Sequence, residues 1–85
     1  MIKTIYSAKP HKDGYKITRY KWNGEKYEDI KGVALLPNQE SANAFIHGIK
    51  ATAEQEGLKT ETEKTQKWLF LTIYGDFNAW PQEKN

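Results

Sequence analysis

The chain has 85 residues, of which 13% are aromatic and 28% charged, with a net charge of +2 and no cysteine. This length predicts one domain, residues 1–85, with residues 81–85 as a loose tail, and the aromatic content excludes a disordered chain. The lack of cysteine excludes disulfides and thiolate metal sites. Since there is also no secretory leader and no apolar run of roughly 20 residues, we expect a cytoplasmic protein without a membrane segment.

The N-terminal residues have the pattern of two antiparallel strands. Residues 2–9 are rich in strand-forming side chains, and we expect Pro10 to end this strand because proline cannot donate to a ladder. Asp13 and Gly14 predict a tight turn, in which glycine supplies a positive φ. A second strand follows over residues 15–22.

A third strand is indicated by the next turn signal. Asn23-Gly24 lies between two strand-like segments, a pattern typical of a hairpin with a type I′ turn. The third strand then begins at Glu25 and runs towards Leu36. Gly32 interrupts it and predicts a bulge or a close backbone approach. The three strands together form an antiparallel meander.

A helix is predicted over residues 39–56. Asn38 is a suitable N-cap, because its side chain can accept a hydrogen bond from an early helical N–H, and Gly57 is a suitable C-terminal stop. Apolar residues recur at helical spacing and form one buried stripe. The stripe consists of Ala42, Phe45, Ile46, Ile49 and Ala53.

Two further strands are predicted after the helix. Residues 58–64 alternate threonine with charged residues, which is typical of an exposed edge strand. Residues 67–74 are apolar on both faces, a pattern typical of a central strand. Alternation places aliphatic side chains on one face, namely Leu69, Leu71 and Ile73. It places Trp68, Phe70, Thr72 and Tyr74 on the other.

These elements predict an α+β fold of order β-β-β-α-β-β, a five-stranded, mostly antiparallel sheet with one helix on one face. The helical stripe requires an aliphatic partner, which the last strand supplies with help from Ile17, Tyr15, Val33 and Leu35. The opposite face is left without a second helix. On the second strand that face carries Lys16, Thr18, Tyr20 and Trp22.

The aromatic side chains of this face have three interpretations. In a structural interpretation the tail residues Phe77 and Trp80, with Tyr6 or Tyr27, cover the face and form a second, minor core. In the second, the face contacts a protein partner or a second copy in a homodimer, because exposed apolar patches usually mark interfaces.

In the third interpretation the face binds single-stranded nucleic acid. Bases stack on the aromatic residues of a sheet while basic residues contact the phosphates. Residues 1–24 carry six basic side chains and one acidic side chain, which favours this interpretation. Glu25, Glu28 and Asp29 follow in the same meander and weaken it.

Catalysis is not expected. His11 lies in a turn and His47 on the outer side of the helix, so neither has the neighbours of a general base or a zinc ligand. The carboxylates follow no paired pattern, and the glycines form no phosphate-binding loop. We expect no enzyme activity, no cofactor, no metal and no small-molecule substrate.

The sequence therefore favours a binding role for the open face of the sheet. The predicted contact residues are Tyr20, Trp22, Trp68, Phe70 and Tyr74, with Lys16, Arg19 and Lys21 as a basic rim. Arg19 and Lys21 share the parity of the aliphatic face, so we expect them to contribute only from the strand margins. By analogy of size and composition, such a chain is typical of the small inhibitors that mobile elements direct against host machinery.

Overall fold

The computed structural model describes residues 1–78 and shows an α+β fold in the predicted order. The strands are β1 (Lys3–His11), β2 (Gly14–Trp22), β3 (Tyr27–Leu36), β4 (Lys59–Lys64) and β5 (Leu69–Tyr74), and the helix α1 spans Gln39–Gln55. The sheet is antiparallel with the order β3-β2-β1-β5-β4, so β1 is its central strand and β5 lies between β1 and β4. Within residues 1–78, no helix is both long and apolar enough to cross a membrane.

The first hairpin differs in detail from the prediction. β1 continues through Pro10 to His11, and His11 pairs with Gly14 across a two-residue turn. Pro10 does not end the strand because β5 pairs with β1 only as far as Ala8, so that side of β1 is free beyond it. The positive φ of the turn belongs to Lys12, at 54°, and not to Gly14.

Gly14 is required because a side chain at this position would clash with β3. A Cβ at this position would lie 2.2 Å from the main-chain oxygen of Leu36 on the neighbouring strand, far inside van der Waals contact. The backbones of β2 and β3 therefore approach closely here because residue 14 has no side chain.

The second hairpin has a four-residue loop instead of a two-residue turn. Trp22 pairs with Tyr27, and the Asn23 side chain holds the loop by accepting hydrogen bonds from the main-chain N–H groups of Glu25 (2.9 Å) and Lys26 (3.0 Å). Only the glycine after Asn23 has a positive φ, whereas a type I′ turn requires it at both central residues. The hairpin was predicted correctly, but its turn type was wrong.

β3 contains the bulge expected at Gly32. Ile17 pairs with Ala34 and Thr18 pairs with Gly32, so Val33 is an additional residue on β3. A second irregularity follows near Asp29, which has a positive φ of 53°.

The register after the bulge at Val33 decides which residues of β3 pack beneath the helix. Val33 packs against the core as expected, and so does Leu36, which pairs with Tyr15. Leu35 pairs with Lys16, lies on the opposite face and is 70% exposed. The expectation that Leu35 packs beneath the helix was therefore wrong.

The helix agrees with the prediction. Asn38 accepts a hydrogen bond from the Ser41 N–H at 2.8 Å, and the five stripe residues are the buried residues of α1. At the other end Gly57 has a φ of 83°, and Leu58 N–H donates to the Ala53 carbonyl at 3.1 Å. These contacts satisfy free carbonyls at the end of the helix.

Residues 75–78, which follow β5, pack on the helix side of the sheet. Phe77 is buried, and its ring contacts the Tyr6 ring edge-on at 6.4 Å between centroids. Thr4 Oγ1 donates to the Gly75 carbonyl at 2.7 Å and accepts from the Phe77 N–H at 2.9 Å. The interpretation in which Phe77 and Tyr6 cover the open face was therefore wrong. Trp80 and the tail 81–85 lie outside the described residues.

Truncation of the core should reveal the helix–sheet contact. Ile49 and Leu71 are fully buried, so Ile49→Ala and Leu71→Ala should each lower the free energy of unfolding by about 2–5 kcal/mol through cavity formation. The matched controls are Ile30→Ala and Leu35→Ala, whose side chains are mostly exposed and should cost little. Equal losses in core and control variants, measured by urea denaturation, would contradict this packing.

The close approach at Gly14 gives a second stability prediction. Gly14→Ala should destabilise by about 1–3 kcal/mol, since the β2 and β3 backbones must separate to admit the methyl group. Gly32→Ala is the control, because its Cβ would meet only the flexible end of Lys16, at 3.2 Å. Thermal unfolding of both variants checks the difference, and an equal effect would argue against the close contact.

Candidate binding face

The sheet face opposite α1, here called the aromatic face, carries six aromatic side chains. The strand register places on it Tyr20, Trp22, Tyr27, Phe70 and Tyr74, and Trp68 joins them from the loop before β5 through its ring contact with Phe70. Within residues 1–78 neither the helix nor the segment after β5 lies on this side, because both pack against the other face.

Three of the rings form a cluster on β2 and β3. The Tyr27 ring lies 5.3 Å from the Tyr20 ring and 4.8 Å from the Trp22 ring, measured between centroids. Tyr27 is 54% exposed and belongs to the site, although the sequence suggested it only as a cover. The sequence could have predicted this position. In any hairpin through Asn23-Gly24 whose loop has an even number of residues, Tyr27 points to the same face of the sheet as Trp22.

A second cluster lies on β5. Trp68 and Phe70 are 5.9 Å apart, with the Lys9 ammonium 4.9 Å from the Trp68 ring centre. The Tyr74 ring receives two ammonium groups, from Lys3 at 5.1 Å and from Lys59 at 5.5 Å. These lysines were not predicted as site residues. Lys3 and Lys9 lie here because β1 passes between the two aromatic clusters, and Lys59 lies here because it pairs with Tyr74 from β4.

Positive and negative charges on the aromatic face lie on different strands, except on β4. Lysines alone occupy β1 and β2 (Lys3, Lys9 and Lys16), whereas the edge strand β4 carries the carboxylates Glu61 and Glu63 together with Lys59. The hydrogen bond to Glu61 raises the pKa of the Tyr74 hydroxyl above its usual 10.0, with a further contribution from burial. The phenol is therefore neutral at physiological pH.

Arg19 and Lys21 lie on the other face. Arg19 is 6% exposed, and its guanidinium contacts the Asn78 carbonyl at 3.3 Å and the Asp29 carboxylate at 3.4 Å. Lys21 contacts Asp76 and the Asn78 side chain. Neither residue lines the aromatic face, because strand alternation directs both side chains towards the segment after β5. Lys16 is the predicted basic residue that does lie on it.

A groove crosses the strands between the clusters. Its floor is formed by Thr18 on β2 and Ser7 on β1, which are paired, and Gly32 continues this row on β3 beneath the Lys16 side chain. Tyr20, Tyr27 and Ile30 lie on one side and Lys9 on the other, around an open depression of about 380 Å³. We call this feature the hydroxyl groove.

The Tyr20 hydroxyl also remains neutral at physiological pH. Burial raises the pKa of Tyr20 above its usual 10.0, the neighbouring Tyr27 phenol raises it further, and the nearby Ser7 hydroxyl partly offsets both. The hydroxyl groove therefore carries hydroxyl groups and an ammonium group, without an ionised phenol.

The two histidines lie apart, on β1 and on the helix. In the described part of the chain, no three His, Asp or Glu side chains come together as a metal site would require. A second open depression, of about 540 Å³, lies at the β1–β2 turn beside His11, with Leu35, Leu36 and Pro37 in its wall. His47 is exposed on the helix, far along the chain and on a different element.

Comparisons with protein-family models, with curated proteins and with solved structures found no match to this chain.

Proposed function

We propose that the protein is a non-enzymatic binding module that contacts another protein through the aromatic face. The observation that supports this proposal is the placement of both α1 and Phe77 on the opposite side of the sheet. Six aromatic side chains are thereby left without a covering element among residues 1–78. Tyr27 and Trp68 are exposed and the other four rings are half-buried, so covering this face would remove further apolar surface from water and would be favourable.

The composition of the face suits a protein ligand. Tyrosine and tryptophan dominate the energetics of protein interfaces, and Ile30 and Leu35 extend the apolar surface along the edge strand β3. Exposed patches of several hundred Å² usually mark such sites. The partner is a different protein or a second copy of this chain. An inhibitor that occupies the contact surface of a larger assembly is one form of this role.

The aromatic residues can be tested directly. Trp22→Ala and Trp68→Ala each remove one ring from a different cluster, and we expect each to weaken self-association or retention of a protein partner at least about tenfold, as for an interface hot spot. The measurements are light scattering of the purified chain and pull-down from a lysate, with wild type compared side by side.

The control for this experiment is His47→Ala, an exposed residue on the outer side of the helix. It should behave as wild type in both assays. If the two tryptophan variants fold, as judged by circular dichroism, yet lose neither self-association nor any retained protein, the aromatic residues are structural and the proposal fails.

Single-stranded nucleic acid is the second candidate, and one observation favours it. The acidic residues Glu28 and Asp29 counted against it in the sequence, but Asp29 pairs with Arg19 on the helix side and Glu28 accepts from the Asn23 side chain at the loop. Lysines instead lie beside the aromatic rings. This is the arrangement that stacks bases and contacts phosphates.

This candidate predicts salt-dependent binding. If the three lysines on β1 and β2 contact phosphates, the logarithm of the binding constant for a thymidylate oligonucleotide should fall with the logarithm of salt concentration with a slope of about −2. Tryptophan fluorescence titration at several salt concentrations measures it. Absence of quenching at low salt excludes the second candidate and leaves the first untouched.

A further inference from the structure

We propose that the hydroxyl groove binds an aromatic anchor residue of the protein partner, a tryptophan or tyrosine with an acidic residue beside it in the partner's sequence. This inference rests on the proposed function, since it names the chemistry that the aromatic face recognises. It concerns a part of the face that contains neither Trp22 nor Trp68.

The groove exists because two neighbouring strands carry small side chains in one row. Thr18 on β2 and Ser7 on β1 are paired, whereas the next open-face residues along these strands are larger. Gly32 continues the row on β3, where the Lys16 side chain lies over it. The bulge at Val33 keeps Gly32 opposite Thr18 while Val33 and Ala34 both pack against the helix-side core.

One side of the groove fits the ring of an anchor residue. Tyr20 and Tyr27 already meet edge-on at 81°, so an entering ring can pack against them in the same offset or edge-to-face manner. Ile30, which is 65% exposed, would be covered by the ring. A depression of about 380 Å³ is large enough for one such side chain together with its main chain.

The floor fits the polar tip of the same residue. A buried indole N–H or phenol hydroxyl nearly always needs a hydrogen-bond partner. The Thr18 hydroxyl lies on the floor and can accept from it, whereas the Ser7 hydroxyl is fully buried. A leucine or phenylalanine would bring no such group and would leave the Thr18 hydroxyl covered without a new partner.

The other side of the groove requires a negative charge beside the ring. Lys9 lines it, and the Lys16 side chain crosses over Gly32, where an added Cβ would be 3.2 Å from Lys16 Cε and 3.9 Å from Nζ. No carboxylate lines the groove among the described residues, because Glu61 and Glu63 lie on β4, two strands beyond β1. A carboxylate next to the anchor ring therefore complements this side.

The test is a nitrogen-15 NMR titration of the full chain with defined short peptides. The probe is acetyl-Gly-Glu-Trp-Glu-Gly-amide, and we expect saturable shifts centred on the amides of Ser7, Thr18 and Gly32. One control peptide replaces both glutamates by glutamine, and another replaces the tryptophan by alanine. Each should bind at least about threefold more weakly, as loss of exposed ion pairs or of a ring contact implies.

Variants locate the contact. Lys16→Gln should weaken the acidic peptide about two- to fivefold and leave the glutamine peptide unchanged, whereas Lys64→Gln, an exposed lysine beside Leu69 on the other face, should change neither. Thr18→Tyr should fill the groove and abolish the shifts. If it does not fold, Lys16→Gln still decides the matter, because its side chain is exposed.

Each contrary result overturns the inference. Equal binding of the acidic and glutamine peptides, shifts that avoid the groove, or no shift with any peptide would show that the groove is not an acidic-aromatic subsite. Shifts at the groove with a thymidylate pentamer alone would assign it to a nucleotide. The proposed function fails separately, through the Trp22 and Trp68 variants, which lie outside the groove.

Discussion

One helix can cover only one face of a five-stranded sheet, and this constraint governs the rest of the molecule. The stripe of α1 packs against Ile17, Leu71 and Ile73, and that contact removes the main aliphatic surface of the chain from water. With 85 residues there is no second helix among the described elements to repeat it on the other side. The aromatic face is the direct result of this shortage.

Residues 75–78, which follow β5, pack on the covered face and not on the open one. Phe77 enters the core beside Tyr6, and Thr4 holds the main chain on both sides of Asp76 through its hydroxyl group. Arg19 is buried here because its guanidinium finds both a carboxylate and the Asn78 carbonyl. A buried charge is tolerated only with such partners, and these two contacts supply them for Arg19.

Aromatic, basic and acidic side chains of the open face are distributed unevenly among its strands. β1 brings lysines between two aromatic clusters, so the ammonium groups of Lys3 and Lys9 lie over rings while their aliphatic chains cover apolar surface. The acidic residues are confined to β4, where they also protect the sheet edge. The face therefore presents aromatic, hydroxyl and positively charged groups close together, a composition that suits selective contacts better than purely apolar ones.

The sequence by itself determined which elements form and which residues of α1 and β5 meet in the core. Alternation at Leu69, Leu71 and Ile73, the helical stripe, and the caps at Asn38 and Gly57 are local signals, and local geometry is what a residue pattern encodes. The same alternation identified five of the six rings of the aromatic face. Tertiary structure alone decided that β5 lies beside β1, that a bulge turns Leu35 outward, and that Phe77 joins the helix-side core. Alternation along a strand specifies the face on which each side chain lies, but it does not specify which strand lies beside it. A single additional residue in β3 also reverses the face of every residue that follows it.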